Sequence, residues 1–420
     1  MRRLLSSLGR ALWVPLALLG CGEVAGDAAE RVERPGIDAS ELRCGPVEVA
    51  PIGRAERLVP LPNGEIYLVG NSYNRFRQPS GKVVQFDPTG AQRPLVHELG
   101  WPVMALTLTD QGLITAMDKA SFFRWPEARF EDPEQVVSVG GIQELTALEL
   151  VRAGEHDLIS GAKTIAAGEE VPAVFRVSPI DGSLVWWTPY VNSQGIAVID
   201  GHFTSITTRP DGQVIAVGKG IDAWNRQDRY GVYVRFDADR GFLQARREHP
   251  QKDFEPIRLV KDRQGEPVVL AIEGHEGLRY VNARPFMARF DDDGGLIDKR
   301  EIALPPGTSQ GALLAARQMQ DGGWLLGGSA CGEQRAWCQA WIVRTDRAGQ
   351  VVWSRTVARD VAATVNDLHV TGNRVFAAIS SSYYCCEFDE LDYDGWLWEL
   401  DLDGNCPLDA GLKADGTVFR

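Results

Sequence analysis

The chain has 420 residues, of which 44% are hydrophobic and 24% are charged, and its formal net charge at pH 7 is -13. This acidity argues against nucleic acid as a partner, because phosphate groups are bound through clusters of Lys and Arg, and the sequence has no such cluster. The length allows two or three domains, or a single domain built from all-β repeats.

The first 20 residues have the features of a signal peptide. Arg2, Arg3 and Arg10 give the segment a positive charge, and Ala11–Leu19 is an apolar run. This run is too short to cross a bilayer, which takes about 20 apolar residues. Residues 1–20 are therefore predicted to direct export and to be removed, rather than to form part of the fold.

The end of this segment, Leu18-Leu19-Gly20-Cys21, resembles the lipobox of bacterial lipoproteins, in which a small residue precedes a cysteine that is lipidated. The resemblance implies cleavage before Cys21 and acylation of Cys21, which would hold the protein at the cell envelope. Gly22 after the cysteine implies the outer membrane, facing the periplasm or the cell surface. The alternative is an ordinary secretory signal with an incidental cysteine. Residues 21–43 have few apolar side chains, so they are predicted to be a flexible tether to a folded domain at residues 44–420.

From residue 55 to residue 404 the sequence repeats a pattern of four short strands. Ala312–Val357 shows it most clearly, with tight turns at Asp321-Gly322-Gly323 and Asp346–Gly349 between apolar strands. Asp-Gly and related pairs supply the positive φ that such turns need. The first turn recurs about every 50 residues, a spacing typical of propeller blades. Its copies are Asn63-Gly64, Asp110-Gln111-Gly112, Gly154-Glu155, Asp211-Gly212, Gln264-Gly265, Asp321-Gly322 and Gly372-Asn373.

Seven copies of this unit predict an all-β fold, a seven-bladed β-propeller of four-stranded antiparallel blades. The copies resemble the repeats of secreted bacterial β-propellers, in which D-G-G-aromatic-apolar-G is followed by W-apolar-V-K/R-apolar-D-x-x-G. This resemblance implies the fold but no particular function. The ring must also close, and Gly45–Ile52 is predicted to close it by adding a strand to the last blade. Gly416–Phe419 is the alternative closing strand.

Six cysteines follow the signal segment, and export would place them in a compartment that favours disulfides. They are Cys331, Cys338, Cys385, Cys386, Cys44 and Cys406. Cys331 and Cys338 lie in one loop of the sixth repeat and are predicted to form a local bridge. A bridge between Cys44 and Cys406 near the point of closure is a further hypothesis.

If that second bridge forms, the adjacent Cys385 and Cys386 must bond each other. Vicinal disulfides lie over the cofactor in some quinone-dependent propeller dehydrogenases, a resemblance that leaves an enzyme open. The repeats lack the tryptophan-docking motif and the metal-ligand set of that family, so a structural role is favoured. Residues 387–394 contain five carboxylates, but their spacing matches no calcium loop. Six histidines lack the spacing of a zinc or catalytic motif, and no metal site, cofactor or catalytic group is predicted.

Propellers usually bind at the mouth of the central channel, with residues of the innermost strand, which here is the first strand of each repeat. Its polar candidates are Glu56, Arg57, Glu144, Glu255, Arg258, Asn366 and Asp367. The sequence therefore favours a lipid-anchored, monomeric binding or scaffold module of the cell envelope. Its contacts would be the membrane, through the N-terminal lipid, and a protein or carbohydrate of unknown identity. The alternative is an extracytoplasmic hydrolase, lyase or quinone-type oxidoreductase with its site at the channel mouth.

Overall fold

The computed structural model describes much of the chain between residues 46 and 405. The described ranges are 46–49, 52–61, 63–73, 79–87, 92–99, 102–103, 105–109, 112–116, 121–125, 135–138, 146–153, 157–166, 169–178, 183–190, 198–222, 229–250, 254–276, 279–332, 338–358, 362–385 and 390–405. Their regular elements are all β-strands. Within these ranges no helix has the length and apolar character that crossing a bilayer requires.

Five antiparallel sheets each contain four strands that follow one another in the chain. Sheet I contains β2 (Arg54–Pro60), β3 (Ile66–Tyr73), β4 (Pro79–Phe86) and β5 (Gln92–Glu98). Sheet II contains β6 (Ala105–Thr109), β7 (Gly112–Ala116), β8 (Ser121–Trp125) and β9 (Gln135–Ser138). Sheet III contains β10 (Thr146–Ala153), β11 (Asp157–Ala166), β12 (Glu169–Val177) and β13 (Leu184–Pro189). Sheet IV contains β14 (Val198–Thr208), β15 (Val214–Asp222), β16 (Arg229–Phe236) and β17 (Leu243–Pro250). Sheet V contains β18 (Glu255–Lys261), β19 (Pro267–Glu276), β20 (Arg279–Phe290) and β21 (Leu296–Glu301).

Sheet VI has eight strands and consists of two halves. Half VIa contains β22 (Gln310–Gln318), β23 (Trp324–Cys331), β24 (Cys338–Thr345) and β25 (Val351–Val357). Half VIb contains β26 (Ala362–Thr371), β27 (Arg374–Cys385), β28 (Glu390–Asp401) and the early strand β1 (Val47–Glu48). A single parallel pairing, Cys338 with Ala362, joins the halves.

The strand that completes VIb comes from the start of the described chain, as the sequence predicts. Val47 pairs with Leu397 and Glu48 pairs with Trp396, in antiparallel orientation. Two further backbone hydrogen bonds, from Val49 N to Gly395 O and from Gly395 N to Ile52 O, are both 2.8 Å long. The edge of β28 is therefore paired rather than open.

The apolar core lies between consecutive sheets. Within the described ranges, clusters of buried side chains join I to II, III to IV, IV to V, V to VIa, and VIa to VIb. Another cluster joins VIb to sheet I, where Phe376 and Leu397 pack with Leu58 and Leu68. Because full burial of one such side chain contributes about 1.5–3 kcal/mol, packing between the sheets is a large part of what stabilises the fold.

The first strand of most sheets carries a β-bulge at the same place. At that place in β2, β10, β14, β18, β22 and β26 one residue has no partner in the second strand, and β14 has a second irregularity between Ile199 and His202. These bulge residues are Glu56, Leu148, Thr204, Ile257, Leu314 and Asn366. A bulge kinks its strand and redirects the neighbouring side chains, so this shared position matters for any site on the first strands.

Glycines in the second strand make room for the bulged backbone. A Cβ at Gly70 would lie 2.2 Å from Arg54 O, and a Cβ at Gly218 would lie 2.3 Å from His202 O. Each of these carbonyls belongs to the residue two before the bulge residue. The glycine that recurs within the second strand is therefore explained by a close backbone contact.

Candidate functional site

The first strands bring polar groups of VIb against sheet I. Asn366 Nδ2 donates to Ala55 O over 2.6 Å, and Leu58 N donates to Asp367 Oδ2 over 3.0 Å. The partners are 311 and 309 residues apart in the chain. The bulge residue of VIb and the residue after it thus bind the first strand of sheet I.

Sheets IV and V meet through the same pattern of contacts. The bulge residue Thr204 donates through Oγ1 to Pro256 O over 3.2 Å. Ser205, the next residue, accepts a hydrogen bond from Leu259 N over 2.9 Å. Relative to the bulges, Pro256 and Leu259 occupy the positions that Ala55 and Leu58 occupy in sheet I. VIb therefore contacts sheet I as sheet IV contacts sheet V.

Asp367 differs from its counterpart Ser205 in being charged and surrounded by arginines. Its side chain is only 4% exposed, and Arg317 Nη2 donates to its Oδ1 over 3.3 Å. Burial alone would raise the pKa of Asp367, but the positive charges of Arg317, Arg258 and Arg57 and the Leu58 N–H outweigh it, so the pKa is lowered. Asp367 is thus a buried carboxylate. These four charged residues are called the arginine–aspartate cluster below.

Arg258 connects three first strands. Its Nη1 donates to Leu314 O and to Asn366 O, each over 3.0 Å. Leu314 and Asn366 are the bulge residues of VIa and VIb, whereas Arg258 follows the bulge of sheet V. A β-bulge leaves a carbonyl outside the strand ladder, and the guanidinium supplies a donor for two such groups.

His369 lies two residues beyond Asp367 on β26 and is partly buried. Burial lowers the pKa of His369, and the charge of Arg317 lowers it further, while Asp367 acts in the opposite direction. The imidazole is therefore neutral at pH 7, the form in which it can accept a proton.

Two of the sequence candidates form ion pairs with residues outside this cluster, and a third is not described. Glu56 forms an ion pair with Arg54 on its own strand, with 2.8 Å between Arg54 Nε and Glu56 Oε1. Glu255 has a fully buried side chain, and Lys219 Nζ donates to its Oε1 over 2.8 Å. Glu144 lies outside the described residues. Arg57, Arg258, Asn366 and Asp367 are thus brought together, whereas Glu56 and Glu255 form separate pairs.

The described residues contain one of the cysteine bridges considered above. Cys331 and Cys338 form a disulfide and are paired directly across β23 and β24. Cys385 is the last residue of β27, and its side chain is not described. Cys21, Cys44, Cys386 and Cys406 fall outside the described residues, so their lipidation and pairing stay predictions.

Sequence reasoning missed two members of this region, Arg317 and His369. Both lie three residues after the bulge residue of their own strand, Leu314 and Asn366. An alignment of the repeats on the first turn does not superpose them, because Arg317 lies four residues before Asp321 and His369 lies three residues before Gly372. Their proximity to Asp367 depends on packing between sheets, which no spacing within one repeat reveals.

The chemistry available to the cluster is that of guanidinium groups. In the described part of the chain no group of three or more His, Cys, Asp and Glu side chains is arranged to hold a metal ion. Arginine presents planar, permanently charged donors suited to carboxylate, sulfate and phosphate oxygens. The cluster thus combines one buried carboxylate with three such groups.

The sequence matches no protein-family model and no curated protein. Solved structures do resemble the chain in fold. An ulvan lyase of polysaccharide lyase family PL25, bound to a saccharide of glucuronic acid and sulfated rhamnose, has a TM-score of 0.54 at 8% identity, with 84% of this chain and 96% of that chain covered. Kuenenia stuttgartiensis hydrazine synthase has a TM-score of 0.51 at 9% identity, with 86% and 98% covered.

A proposed 6-phosphogluconolactonase from Bacteroides fragilis NCTC 9343 has a TM-score of 0.50 at 13% identity, with 82% of this chain and all of that chain covered. These neighbours are proteins of the β-propeller type. At such low identity the similarity concerns the fold alone, and it fits an all-β chain of generic propeller type.

Proposed function

We propose that the chain is a closed seven-bladed β-propeller in which VIa and VIb are separate blades. The parallel link between them is one residue pair, whereas each half has a four-strand order of its own. The contact from VIb to sheet I repeats the contact from IV to V, which supports closure between the last blade and the first. The pairing of β1 with β28 supports the same arrangement, because it joins the start of the chain to the last blade.

This propeller is exported and is anchored to the cell envelope, at the outer membrane, through a lipid on Cys21. The positive and apolar segment before Cys21 and its resemblance to a lipobox support this. The Cys331–Cys338 disulfide agrees with an oxidising compartment. Residues 1–20 are the signal, residues 21–43 the tether and residues 44–420 the propeller domain.

The anchored propeller is a monomeric binding or scaffold module whose ligand occupies the region where the first strands converge. The observation that carries this proposal is the arginine–aspartate cluster, in which sheets I, V, VIa and VIb each contribute a charged side chain. Functional groups on rigid, adjacent strands are held in fixed positions, which favours selective binding. The partner is a protein or carbohydrate of the envelope, and the net charge of -13 argues against nucleic acid.

The anchor and the binding site are tested separately. Cells expressing the full chain are labelled with radioactive palmitate, and the wild type is expected to be labelled whereas Cys21→Ala is not. Equal labelling of both proteins would refute the anchor.

For the binding site, purified wild type, Arg317→Glu and Arg263→Glu are each incubated with a solubilised envelope fraction, and retained molecules are identified by mass spectrometry. Arg263 is a matched control, because its guanidinium donates to Gln320 O at an exposed site outside the cluster. We expect Arg317→Glu alone to lose the retained ligand. If all three proteins retain the same molecules, the ligand does not bind at the cluster.

A second candidate function is an enzyme that uses the same region, as a hydrolase, lyase or quinone-type oxidoreductase. The observation that favours it is the partly buried imidazole of His369, two residues beyond Asp367 on β26; because its pKa is lowered, it is unprotonated at pH 7 and can accept a proton. A lyase and a proposed lactonase among the structural neighbours agree with a fold that supports such chemistry. Turnover of lactones or uronate-containing saccharides by wild type, and its loss in His369→Gln with ligand binding retained, would establish the enzyme over the binding module.

A further inference from the structure

The two tight turns of a sheet lie at the same end of that sheet. The first turn joins the first and second strands, and the second turn joins the third and fourth. Val214, just after the first turn of sheet IV, pairs with Phe236, just before its second turn. Trp324 and Thr345 are paired in the same way in half VIa. Both turns are therefore side by side, as antiparallel order requires.

Contacts between neighbouring sheets bring these turns together on one side of the molecule, called the turn face below. In each contact a side chain of one sheet reaches a turn of the next, from III to IV, IV to V, V to VIa and VIa to VIb. The hydrogen bonds run from Trp186 Nε1 to Ala238 O, from Arg209 Nη1 to Asp292 Oδ1, from Arg263 Nη1 to Gln320 O and from Trp353 Nε1 to Leu402 O, over 3.1, 2.6, 2.8 and 2.9 Å.

The exposed apolar side chains of the described residues follow this face. Seven large hydrophobic side chains are exposed in that part of the chain, by 39–67%, and all seven lie on a fourth strand or directly before one. Six of them lie next to a second turn, at or before the second residue of the strand. The set, called the apolar rim below, is Val185, Trp187, Phe242, Leu296, Ile297, Val351 and Val352.

The backbone of the apolar rim is not suited to binding another strand. Val185, Ile297 and Val352 have no partner on the third strand of their sheets, so each is the extra residue of a β-bulge. Bulges twist an edge strand and interrupt the row of groups to which a further strand would bind. The exposed side chains, rather than the strand edges, are therefore the feature that a partner would contact.

The chain enters VIb from the turn face. Val47 pairs with Leu397 and Glu48 with Trp396, and β28 ends at Asp401, where the second turn of VIb begins. Residue numbers on β1 thus fall toward that turn. Residues 22–45 separate Cys21 from the described chain, and a tether of 24 residues spans about 25–30 Å on average.

We propose that the apolar rim contacts the surface of a lipid bilayer, so that the turn face is directed toward the membrane and the opposite face away from it. This inference rests on the proposed lipid anchor at Cys21 and adds the orientation of the anchored propeller. The tether joins the molecule on the same side as the rim, which keeps the rim at a high effective concentration near the membrane. Aromatic and aliphatic side chains such as Trp187 and Phe242 partition into the boundary between headgroups and acyl chains.

The charges of the turn face indicate which lipid surface fits. Exposed carboxylates such as Asp293 and Asp403 lie in the second turns, and the whole chain has a net charge of -13. Anionic headgroups would repel these carboxylates, whereas zwitterionic headgroups would not. Contact through the rim is therefore driven by apolar burial, and anionic lipid should weaken it rather than strengthen it.

The test binds the full chain to vesicles of phosphatidylcholine with brominated acyl chains, which quench tryptophan fluorescence at short range. Among the described tryptophans Trp187 alone is exposed, so we expect quenching in the wild type and its loss in Trp187→Phe. The double variant Phe242→Ser/Ile297→Ser should lower the ratio of membrane-contacting to free rim about tenfold or more, because two apolar side chains no longer insert.

Glu301→Gln is the matched control, because Glu301 is exposed on a fourth strand but lies at the end of β21 away from the turn. It should be quenched as the wild type is. Thermal unfolding of each variant verifies that it folds. Replacing a third of the lipid with phosphatidylglycerol should reduce the quenching of the wild type, and an increase would contradict contact through apolar burial.

Flotation with the vesicles and palmitate labelling separate the outcomes. If the chain floats but wild type and double variant are quenched equally, or not at all, the rim does not contact the membrane and the anchor stands. If no palmitate is incorporated but quenching is still lost from the double variant, the anchor fails and the membrane contact stands. If the chain neither floats nor is labelled, both fail. Sedimentation of the wild type as a dimer that the double variant does not form would make the rim an interface between copies and overturn the membrane contact.

Discussion

The contact between VIb and sheet I and the contact between sheets IV and V use equivalent backbone atoms but different side chains. Leu259 N donates to the neutral hydroxyl of Ser205, whereas Leu58 N donates to the carboxylate of Asp367. A hydroxyl is sufficient to join two sheets in this way, so the fold does not require a charge there. Burying a carboxylate is costly unless cations and donors compensate for the lost hydration. The extra charge therefore indicates a role for the VIb–I contact beyond holding two sheets together.

The largest expected effect comes from removing the carboxylate of the VIb–I contact. Asp367→Ala should lower the free energy of unfolding by about 3 kcal/mol, because it leaves three arginines without their carboxylate and Leu58 N without its acceptor. Ser205→Ala at the equivalent place should cost about 1 kcal/mol, the value of one neutral hydrogen bond. Urea unfolding followed by tryptophan fluorescence measures both. Equal losses would mean that the cluster adds nothing to the contact that Ser205 makes.

The next effect concerns the apolar side of the VIb–I contact. Ile52 is 3% exposed and packs among Leu58, Leu68 and Leu397. Ile52→Ala should therefore lower the free energy of unfolding by about 2–3 kcal/mol through lost burial and a cavity. Val185→Ala, an exposed site on β13, is the control and should change it by less than about 0.5 kcal/mol. A loss at Ile52 no larger than the control would show that the start of the chain does not stabilise the last half-sheet.

A smaller effect concerns two similar contacts, in each of which a turn glycine packs against a tryptophan of the preceding sheet or half-sheet. Gly241 has φ 69° and a Cβ there would lie 2.5 Å from the Trp186 ring, while Gly404 has φ 75° and a Cβ there would lie 2.8 Å from the Trp353 ring. Gly241→Ala and Gly404→Ala should each cost about 2 kcal/mol, from strain at positive φ and from crowding.

Gly372 separates these two causes. Its φ is 57°, but an added Cβ would meet no heavy atom within 4 Å, so Gly372→Ala should cost only about 1 kcal/mol. Denaturant midpoints of the three variants measure the difference. If Gly372→Ala is as costly as the other two, contact with the tryptophan rings is not a factor.

The smallest effect is a pH dependence at the charged contact. The pKa of His369 is lowered in the folded protein, so the folded state binds fewer protons than the unfolded state near the ordinary value of about 6.5. The contribution of this pKa difference to the free energy of unfolding is fully present above that pH and is lost as the pH falls through the pKa of His369 in the folded protein. His369→Gln should reduce the loss between pH 8 and pH 5 by less than about 1 kcal/mol, measured by urea unfolding at both values. An unchanged slope would assign the pH dependence to other groups.

The contribution of Asp367 to stability depends on pH in the same direction, but at lower pH. Its lowered pKa gives a contribution that is complete above the unfolded value of about 3.9 and is lost as the pH falls through the folded pKa. The stability difference between wild type and Asp367→Ala should therefore shrink below pH 4.

Much of the strand pattern could be predicted from the sequence, because it is local. Turn glycines such as Gly64, Gly212 and Gly322 have φ between 82° and 86°, and residues without a Cβ adopt such values at little cost. Strand ends were less well predicted. Cys331 and Cys338 were expected in a loop of the sixth repeat, but Cys331 is the last residue of β23 and Cys338 is the first residue of β24, and the disulfide joins the two strands.

The site was predicted only in part, for a physical reason. Arg57, Arg258, Asn366 and Asp367 were identified because they lie on first strands, but Glu56 and Glu255 lie there too and form ion pairs elsewhere. The bulges, which decide where each side chain is directed, depend on backbone contacts between strands and have no simple sequence signature. Arg317 and His369 were missed because their role depends on a neighbouring sheet.

The sequence by itself determined the repeated unit, its four strands, its tight turns and the early strand that pairs with β28, since each depends on residues close in the chain or on hydrophobic periodicity. Only the tertiary structure decided that Asp367 lies against Leu58, and that arginines from three sheets surround it. Those partners lie between 50 and 310 residues from Asp367 in the chain, and packing between sheets, rather than the preference of any segment, brings them together.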